Sequence, residues 1–303
     1  MEDYPLTQLD FEKRFSTEEA CRDYLFSIRW PNGFQCPRCK NDKAWPLSEF
    51  HYQCSNCNYQ VSIIAGTIFH STNKPLTIWF RTIWWITGQK NGVSALGLKR
   101  VLGLGSYRTA WNWLHKLRRA MVTPGRNLLS GVVQVDESYF GGQKQGKRGR
   151  GAENKTLVLI AAEINNSRIG RIRLQIIEDA SAQSLEHAIR KNINKGSLIQ
   201  TDGWPGYKNF TSIGYGHNIV CKGDTEMGEN LLPFCHTVAS LVKRWLLGTH
   251  QGGVSHKHLE YYLDEFTFRF NRRYSKHRGK LFYRLIENAV QVEPVTNVKI
   301  IKK

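Results

Sequence analysis

The sequence predicts a multidomain protein in which a small cysteine-rich ribbon and a short all-α module precede a larger α/β core with a mixed sheet. Three observations predict this order. Two Cys-x-x-Cys pairs lie near the N-terminus, a stretch with helical periodicity follows them, and the second half of the chain alternates β-branched strands with an amphipathic helix. A chain of 303 residues is long enough for one large domain and smaller ones.

The composition indicates a globular protein with a polyanionic partner. Hydrophobic residues make up 41% of the chain, and the formal net charge is +18. A positive field of this size favours nucleic acid, with an anionic membrane surface or a solubilising charge as the alternatives. No apolar run approaches the ~20 residues that span a bilayer, and the acidic N-terminus does not resemble a secretory signal. These features predict a cytoplasmic protein with reduced thiols and no membrane partner.

The cysteine-rich ribbon is predicted over residues 16–62. Its pairs, CPRC and CSNC, have the spacing that places four thiolates around one structural Zn²⁺. The predicted zinc ligands are Cys36, Cys39, Cys54 and Cys57. The alternative, a knot of two disulfides, fits a reducing compartment poorly. The ribbon alone does not decide between DNA and protein as a partner, since zinc ribbons bind either.

An all-α module with a helix-turn-helix pattern is predicted over residues 70–125. Apolar residues recur at three- and four-residue spacing in PLTIWFRTIWWITGQ, and two shorter helices follow around a Gly-containing turn. Ser106 is the predicted N-cap of the second short helix, and Trp111 and Leu114 are its predicted core residues. Its polar residues are expected to face a DNA groove or its phosphates: Arg108, Asn112, His115, Lys116, Arg118 and Arg119. The alternative is an ordinary helical hairpin with a solvated basic face.

The α/β core is predicted over residues 129–285. Four segments have the pattern of strands: GVVQVD, which is expected to end on the acid Asp136, TLVLIAAEI, RIRLQIIEDA and SLIQT. SAQSLEHAIRKNI has the pattern of an amphipathic helix capped by Ser181. The order strand, strand, strand, helix, strand favours an antiparallel pair of hairpins that a helix connects to one parallel strand. In such a sheet the first and fourth strands can lie side by side.

Two aspartates are predicted to meet at this sheet. Asp136 and Asp202 follow the apolar parts of the first and fourth strands, at the strand ends where open α/β sheets place their sites. Adjacent carboxylates repel unless a hard cation such as Mg²⁺ or Mn²⁺ lies between them. A pair of these ions can activate water or a 3′-OH for phosphodiester cleavage and transfer. The alternative is that each aspartate only ends a strand or begins a turn, because Asp-Gly is a common turn signal.

Taken in order, these motifs resemble bacterial insertion-sequence transposases of the DDE type, the group with an N-terminal zinc ribbon and a ribonuclease-H-like catalytic core. The resemblance covers roughly Ser16 to Arg273 and includes VDESYFGG, TDGWPGY, CHTVASLVKRWLLGTHQG and HLEYYLDEFTFRFNRR. It implies a nucleoid-associated bacterial enzyme that binds the terminal inverted repeats of its own element. It further implies cleavage and transfer of DNA strands with two catalytic Mg²⁺ or Mn²⁺ ions. Because two DNA ends must be cut together, a homodimer or a higher assembly is expected.

The resemblance assigns catalytic roles to four residues. Asp136 and Asp202 match the first and second catalytic acids. The family places a third acid at the start of a helix, seven residues before a lysine, and counting back from Lys243 reaches His236. Imidazole is a poorer ligand than carboxylate for Mg²⁺, although Mn²⁺ accepts it more readily. We interpret His236 as the third metal ligand or a proton shuttle and Lys243 as a contact to the phosphate beside the scissile bond. The alternatives are an inactive copy or a third acid among Glu226, Glu229 and Glu265.

Arg272 and Arg273, in the last helix of the resemblance, are expected to contact DNA phosphates, with solvated charge as the alternative. The rival function is a catalytically inactive or domesticated zinc-ribbon regulator that binds DNA, and a nuclease that does not transpose is a third hypothesis. The acid set separates enzyme from regulator, because a regulator has no need of Asp136 and Asp202.

Overall fold

The chain passes from one structural unit into a second and back again. The structure is a computed structural model, and it describes residues 2–123, 125–141, 155–220 and 231–302. One unit comprises Met1–Pro124 and Tyr274–Lys303, and the other comprises Gly125–Arg273. In the part of the chain that the structure describes, no helix has the length and apolar character needed to cross a membrane.

The helices and strands have the following bounds in chain order: α1 (Gln8–Arg14), α2 (Glu18–Arg29), β1 (Ala44–Pro46), β2 (His51–Cys54), β3 (Gln60–Ser62), α3 (Leu76–Gly88), α4 (Ala95–Val101), α5 (Tyr107–Ala120), β4 (Val132–Phe140), β5 (Thr156–Asn165), β6 (Arg168–Ile177), α6 (Ala182–Asn192), β7 (Leu198–Thr201), β8 (Gly216–Ile219), α7 (Pro233–His250), α8 (Leu259–Asn271), α9 (Arg278–Gln291) and α10 (Asn297–Lys302). The ribbon sheet has the order β1-β2-β3 and is antiparallel. Serine side chains cap α5 and α6, as predicted: Ser106 accepts from the Arg108 N–H and Ser181 from the Ser184 N–H.

An aromatic cluster forms the core of the first unit. The Phe282 ring of α9 lies edge-on to Phe11 of α1 and to Phe80 and Trp84 of α3, with ring centroids 5.5 to 5.7 Å apart. All four side chains are buried. A helix from the C-terminal part of the chain therefore completes the core of the N-terminal unit. This helix crosses the end of the range predicted for the α/β core, 129–285.

The second unit is built on a mixed five-stranded sheet of order β6-β5-β4-β7-β8. β4 pairs antiparallel with β5 and parallel with β7, which confirms that the first and fourth predicted strands are neighbours. β8 adds a further parallel strand beside β7. β8 was not predicted, because it is short and mostly exposed and so lacks the apolar pattern of a core strand.

Helices cover both faces of this sheet. α7 and α8 pack on the face that carries Phe140 and Ile160, and α6 packs on the face that carries Val133 and Val135. Because successive side chains of a strand point to opposite faces, the even-numbered residues of β4 lie on the α7 side and the odd-numbered residues on the α6 side.

Candidate active site and metal centres

The four cysteines predicted to bind zinc come together in the ribbon. Their sulfur atoms all lie within 4.8 Å of one another, and two of the separations are 3.7 Å and 3.5 Å. Tetrahedral coordination with Zn–S bonds of about 2.3 Å requires sulfur atoms about 3.8 Å apart. The cysteines of the described residues are free thiols rather than disulfides. The set therefore fits one structural zinc ion, and within the described residues no other cluster of three or more His, Cys, Asp or Glu ligand atoms is as close.

Two equivalent turns hold these cysteines. Lys40 and Asn58 follow the two pairs in the left-handed backbone conformation, with φ of 64° and 56°. The Lys40 N–H donates to the Cys36 carbonyl, and the Asn58 N–H donates to the Cys54 carbonyl. Desolvation raises the pKa of the Cys54 thiol. Backbone N–H groups in the turn and neighbouring thiols outweigh this effect, and the resulting pKa is about 6. At Cys54 the turn thus favours the thiolate, which is the form that binds zinc.

Asp136 and His236 meet at the centre of a second candidate site. His236 lies in the first turns of α7, and its Nε2 atom is 3.2 Å from Oδ2 of Asp136 on β4. The Asp136 side chain is 16% exposed and the His236 side chain 52%. Burial raises the pKa of Asp136 above its ordinary value; His236 and the Glu137 N–H oppose this shift, and the carboxylate of Asp202 adds to it. A cation beside these groups would offset the cost of holding the buried charge.

Asp202 follows β7 in a turn that its own motif builds. Its Oδ1 atom accepts from the Trp204 N–H at 3.1 Å. Gly203 has a φ of +78°, and a Cβ atom there would lie 2.8 Å from the Ile219 side chain, so this position requires glycine. The turn leaves Asp202 exposed and within electrostatic reach of Asp136. Asp202 therefore begins a turn and also lies near Asp136, so its role in the turn does not exclude a role in the predicted metal site.

β4 continues past Asp136, contrary to the expectation that this residue ends the strand. The strand runs to Phe140 because β5 pairs with it from Val133 onward, whereas pairing with β7 stops at Gln134. Asp136 therefore lies in mid-strand, two residues beyond the last pair that β4 makes with β7. Asp202 lies two residues beyond the same pair on the other strand.

Lys243 reaches the same face of β4 as Asp136. It lies on α7 two turns after His236. Its Nζ atom donates to Oγ of Ser138 at 2.8 Å and lies 5.3 Å from the centroid of the Phe140 ring. Burial lowers the pKa of Lys243. Asp136, Ser138 and Phe140 on β4 thus all contact residues of α7.

Of the three alternative third acids, Glu265 lies among the described residues and has a different partner from Asp136. Glu265 is fully buried, and its Oε1 atom lies 2.8 Å from the guanidinium of Arg269 on the same helix. Glu226 and Glu229 lie outside the described residues. Of the two candidates that the structure describes, His236 and Glu265, it brings His236 to Asp136.

The second short helix of the all-α module buries side chains that were expected to face DNA. α5 packs against α4, α9 and α10. Asn112, His115 and Arg118 are only 5%, 0% and 1% exposed. This burial contradicts their expected orientation, because helices cover α5 on more sides than a two-helix pattern implies. The other predicted residues keep exposed surface: Arg108, Lys116 and Arg119.

The core side of α5 also differs from the prediction. Trp113, rather than Trp111, is buried, and its ring stacks on Trp79 of α3 with centroids 3.7 Å apart. Leu114 is buried, as predicted. Residues two apart on a helix point about 200° apart, so Trp111 and Trp113 lie on nearly opposite faces. Sequence periodicity does not show which of these faces other helices cover.

Arg272 and Arg273 are partly buried and bind backbone carbonyl groups. Nη1 of Arg272 donates to the Phe268 carbonyl at 3.3 Å, and Nη1 of Arg273 donates to the Gly170 carbonyl at 3.2 Å. Their guanidinium carbons lie 4.1 and 4.0 Å from the centroids of the Phe268 and Phe270 rings. These contacts stabilise the end of α8, and a DNA contact by either arginine stays a prediction.

Sequence reasoning missed the role of Tyr207. The Tyr207 side chain is 1% exposed, and its OH donates to Oε1 of Glu137 at 2.5 Å. Burial and the Glu137 carboxylate raise the pKa of Tyr207 well above its ordinary value. Glu137 lies on the α6 side of β4, opposite Asp136, so it does not join Asp136 as a metal ligand. Both residues stand in quoted motifs, but no spacing signal links residues so far apart in the chain.

Comparison with known proteins identifies the family. The model of the ISXO2-like transposase domain matches residues 128–271, and the model of the transposase zinc-ribbon domain matches residues 16–60. The chain is 27% identical over 280 residues to an uncharacterized protein in transposable element ISH50 of Halobacterium salinarum, across 85% of this chain and 92% of that protein.

A solved structure also matches, the cryoEM structure of a simian T-cell lymphotropic virus intasome in complex with PP2A regulatory subunit B56 gamma. The match has 15% identity and a TM-score of 0.33 over 66% of this chain and 74% of that chain, and at this score it carries no structural argument. The two family models together span more than half of the chain. The chain belongs to the insertion-sequence transposases that combine a zinc ribbon with an ISXO2-like transposase domain.

Proposed function

We propose that this protein is a DDE-type transposase that binds the terminal inverted repeats of its own insertion sequence and catalyses metal-dependent DNA strand cleavage and transfer. One observation carries the proposal: Asp136 and Asp202 each lie two residues beyond the last pair between the neighbouring parallel strands β4 and β7, and Nε2 of His236 is 3.2 Å from the Asp136 carboxylate. Membership of the transposase family supports DNA as the substrate. The mixed sheet supports the ribonuclease-H-like core that the resemblance implies.

The chemistry of the donor set suits a divalent cation. Asp136 and Asp202 supply carboxylate oxygens, and His236 supplies an imidazole nitrogen. Oxygen ligands suit Mg²⁺ and Mn²⁺, and the imidazole favours Mn²⁺. When bound, two such ions activate a water or a 3′-OH and stabilise the leaving oxygen.

The side chains around this site hold and orient the DNA strand. Lys243, which Ser138 holds on the Asp136 side of β4, contacts the phosphate beside the scissile bond. His236 acts as a metal ligand or moves a proton at Nε2. Hydrolysis at each end of the element frees a 3′-OH, which attacks target DNA by the same in-line displacement, so no covalent bond between protein and DNA is needed.

The N-terminal modules recognise the ends of the element. The zinc ribbon, residues 16–62, and the helix-turn-helix-like module, residues 70–125, bind the inverted repeats, and the core, residues 129–285, carries out the chemistry. The net charge of +18 supports binding to a polyanion. Exposed or partly exposed basic residues of α5 are the phosphate contacts: Arg108, Lys116 and Arg119. Two ends are cut together by a homodimer or a higher assembly that acts at the nucleoid.

The proposal is tested by cleavage of DNA that carries the element's own ends, with Mg²⁺ and Mn²⁺ compared. We expect cleavage by the wild type, stronger in Mn²⁺, and its loss in Asp136→Ala, Asp202→Ala and His236→Ala. Glu229→Ala should retain cleavage, and His236→Glu should shift the metal preference toward Mg²⁺. Binding to the ends without cleavage in either metal would leave a DNA-binding regulator in place of the enzyme.

A further inference from the structure

The side chain of Gln134 connects three segments of the proposed active site. Gln134 on β4 is 5% exposed, and it is the backbone partner of Gln200 in the last pair between β4 and β7. Its Nε2 atom donates to Oε1 of Gln200 at 3.4 Å. Its Oε1 atom accepts from the N–H of Phe234, in the first turn of α7, at 3.0 Å. One buried amide therefore touches β4, β7 and α7.

The chemistry of the amide fixes this arrangement. The backbone N–H of Phe234 can only donate, so the Gln134 oxygen must face it. The Gln134 nitrogen is then directed to the oxygen of Gln200. The N-cap residue of α7, Leu232, makes no side-chain hydrogen bond to the helix end. Gln134 therefore supplies an acceptor that a helix N-terminus ordinarily takes from its own N-cap.

Each of the three connected residues stands two positions before a proposed metal ligand. The pairs are Gln134 and Asp136, Gln200 and Asp202, and Phe234 and His236. Side chains two apart on a strand share a face, so Gln134 and Asp136 both face α7. The pairing of β4 with β7 positions the two aspartates relative to one another. The hydrogen bond that the Phe234 N–H donates to Gln134 holds the start of α7, and with it His236, at a fixed place beside both strands.

We infer that Gln134 is a positioning residue that sets the spacing of Asp136, Asp202 and His236, and thereby the affinity of this site for a divalent cation. The inference rests on the proposed function in taking these three side chains as the metal ligands. Loss of a group that orients metal ligands costs roughly ten- to hundredfold in metal affinity or activity. A group that only stabilises the fold would lower the unfolding temperature without a selective loss of affinity.

The test is Mn²⁺ binding to the full-length protein without DNA, measured by electron paramagnetic resonance beside thermal unfolding. Gln134→Met removes both hydrogen bonds at nearly constant volume, and Gln200→Met removes one and leaves the contact to Phe234. The control is Asn192→Leu, because Asn192 is 1% exposed and donates to the Ala188 carbonyl at 2.8 Å on the α6 side of the sheet.

We expect Mn²⁺ affinity to fall roughly ten- to hundredfold in Gln134→Met, by less in Gln200→Met, and not in Asn192→Leu. Unchanged affinity in Gln134→Met, an equal loss in Asn192→Leu, or no Mn²⁺ binding by the wild type would each overturn the inference. If Gln134→Met does not fold, Gln200→Met decides, and its unchanged affinity overturns the inference.

The cleavage assay separates the two proposals. Mn²⁺ binding that depends on Gln134 in a protein that does not cut DNA supports the inference and removes the proposed function. Cleavage by the wild type, together with normal Mn²⁺ affinity in Gln134→Met, supports the proposed function and overturns the inference about Gln134.

Discussion

The hydrogen bond between Tyr207 and Glu137 offers a direct test of how the two acid-bearing segments are held together. Tyr207 ends the short 3-10 helix that follows the Asp202 turn, and Glu137 lies next to Asp136 on β4. The substitution Tyr207→Phe removes one hydroxyl group and keeps the buried ring. We expect it to lower the stability of the protein and to loosen the Asp202 turn.

The expected size of the effect follows from the charge and burial of the pair. A hydrogen bond to a charged group contributes about 1.5–3 kcal/mol. In a domain of this size, 1 kcal/mol changes the unfolding temperature by about 2–4 °C, so Tyr207→Phe should lower it by about 3–12 °C. Because burial raises the pKa of Tyr207, the phenol keeps its proton at neutral pH and remains a donor.

The matched control is Tyr215→Phe. Tyr215 is 3% exposed in the same core cluster, but its OH donates to a neutral acceptor, the Ile193 carbonyl, at 3.1 Å. Loss of this hydrogen bond should lower the free energy of unfolding by only about 0.5–1.5 kcal/mol. Thermal unfolding of Tyr207→Phe, of Glu137→Ala and of the two combined gives the coupling energy of the pair, and Tyr215→Phe is measured beside them. A coupling energy near zero, or equal losses in the two Phe variants, would refute the reasoning.

Three further predictions concern charge and metal. Asp136→Asn should raise the unfolding temperature without divalent metal, because it removes a charge from a side chain that is 16% exposed, and it should abolish stabilisation by Mn²⁺. Cys54→Ser should release zinc and unfold the ribbon, since structural zinc contributes about 10–16 kcal/mol in small modules; metal analysis and circular dichroism check this. Glu163 is 4% exposed, and although burial raises its pKa, the hydrogen bonds from Arg171 and Ser130 lower it below the ordinary value. Its contribution to stability is therefore present above the ordinary carboxyl pKa and is lost as the pH falls through the lowered value, so Glu163→Gln should cost about 1–3 kcal/mol in urea unfolding at pH 7 and less in acid.

Each of these predictions has a contrary outcome. A lower unfolding temperature for metal-free Asp136→Asn would mean that the carboxylate stabilises the fold. A full zinc content in Cys54→Ser would remove that cysteine from the ligand set. A cost of Glu163→Gln that does not change with pH would show that charge is not the source of the stability.

The features that could be predicted are those that neighbouring residues create. The cysteine pairs brought four sulfurs together, and Ser106 and Ser181 cap the helices that they precede. The short apolar runs of β4 and β7 located both predicted aspartates, although the end of β4 was misplaced because its length depends on pairing with β5.

The prediction of the surface of α5 was less accurate, and the reason is physical. Periodicity shows which side chains of a helix share a face, but not how many faces other elements cover. Asn112 and Arg118 are polar and were expected on the exposed side, yet both are buried where further helices pack on α5.

The sequence by itself therefore determined the local devices of this protein: the zinc turns, the helix caps and the Asp-Gly turn, all set by backbone sterics and hydrogen bonds over a few residues. Only the tertiary structure decided which of these local features contact one another. It placed His236 beside Asp136, Tyr207 against Glu137, and α9 in the core of the first unit. These contacts join segments far apart in the chain, and packing and sheet pairing select them without leaving a spacing pattern in a single sequence.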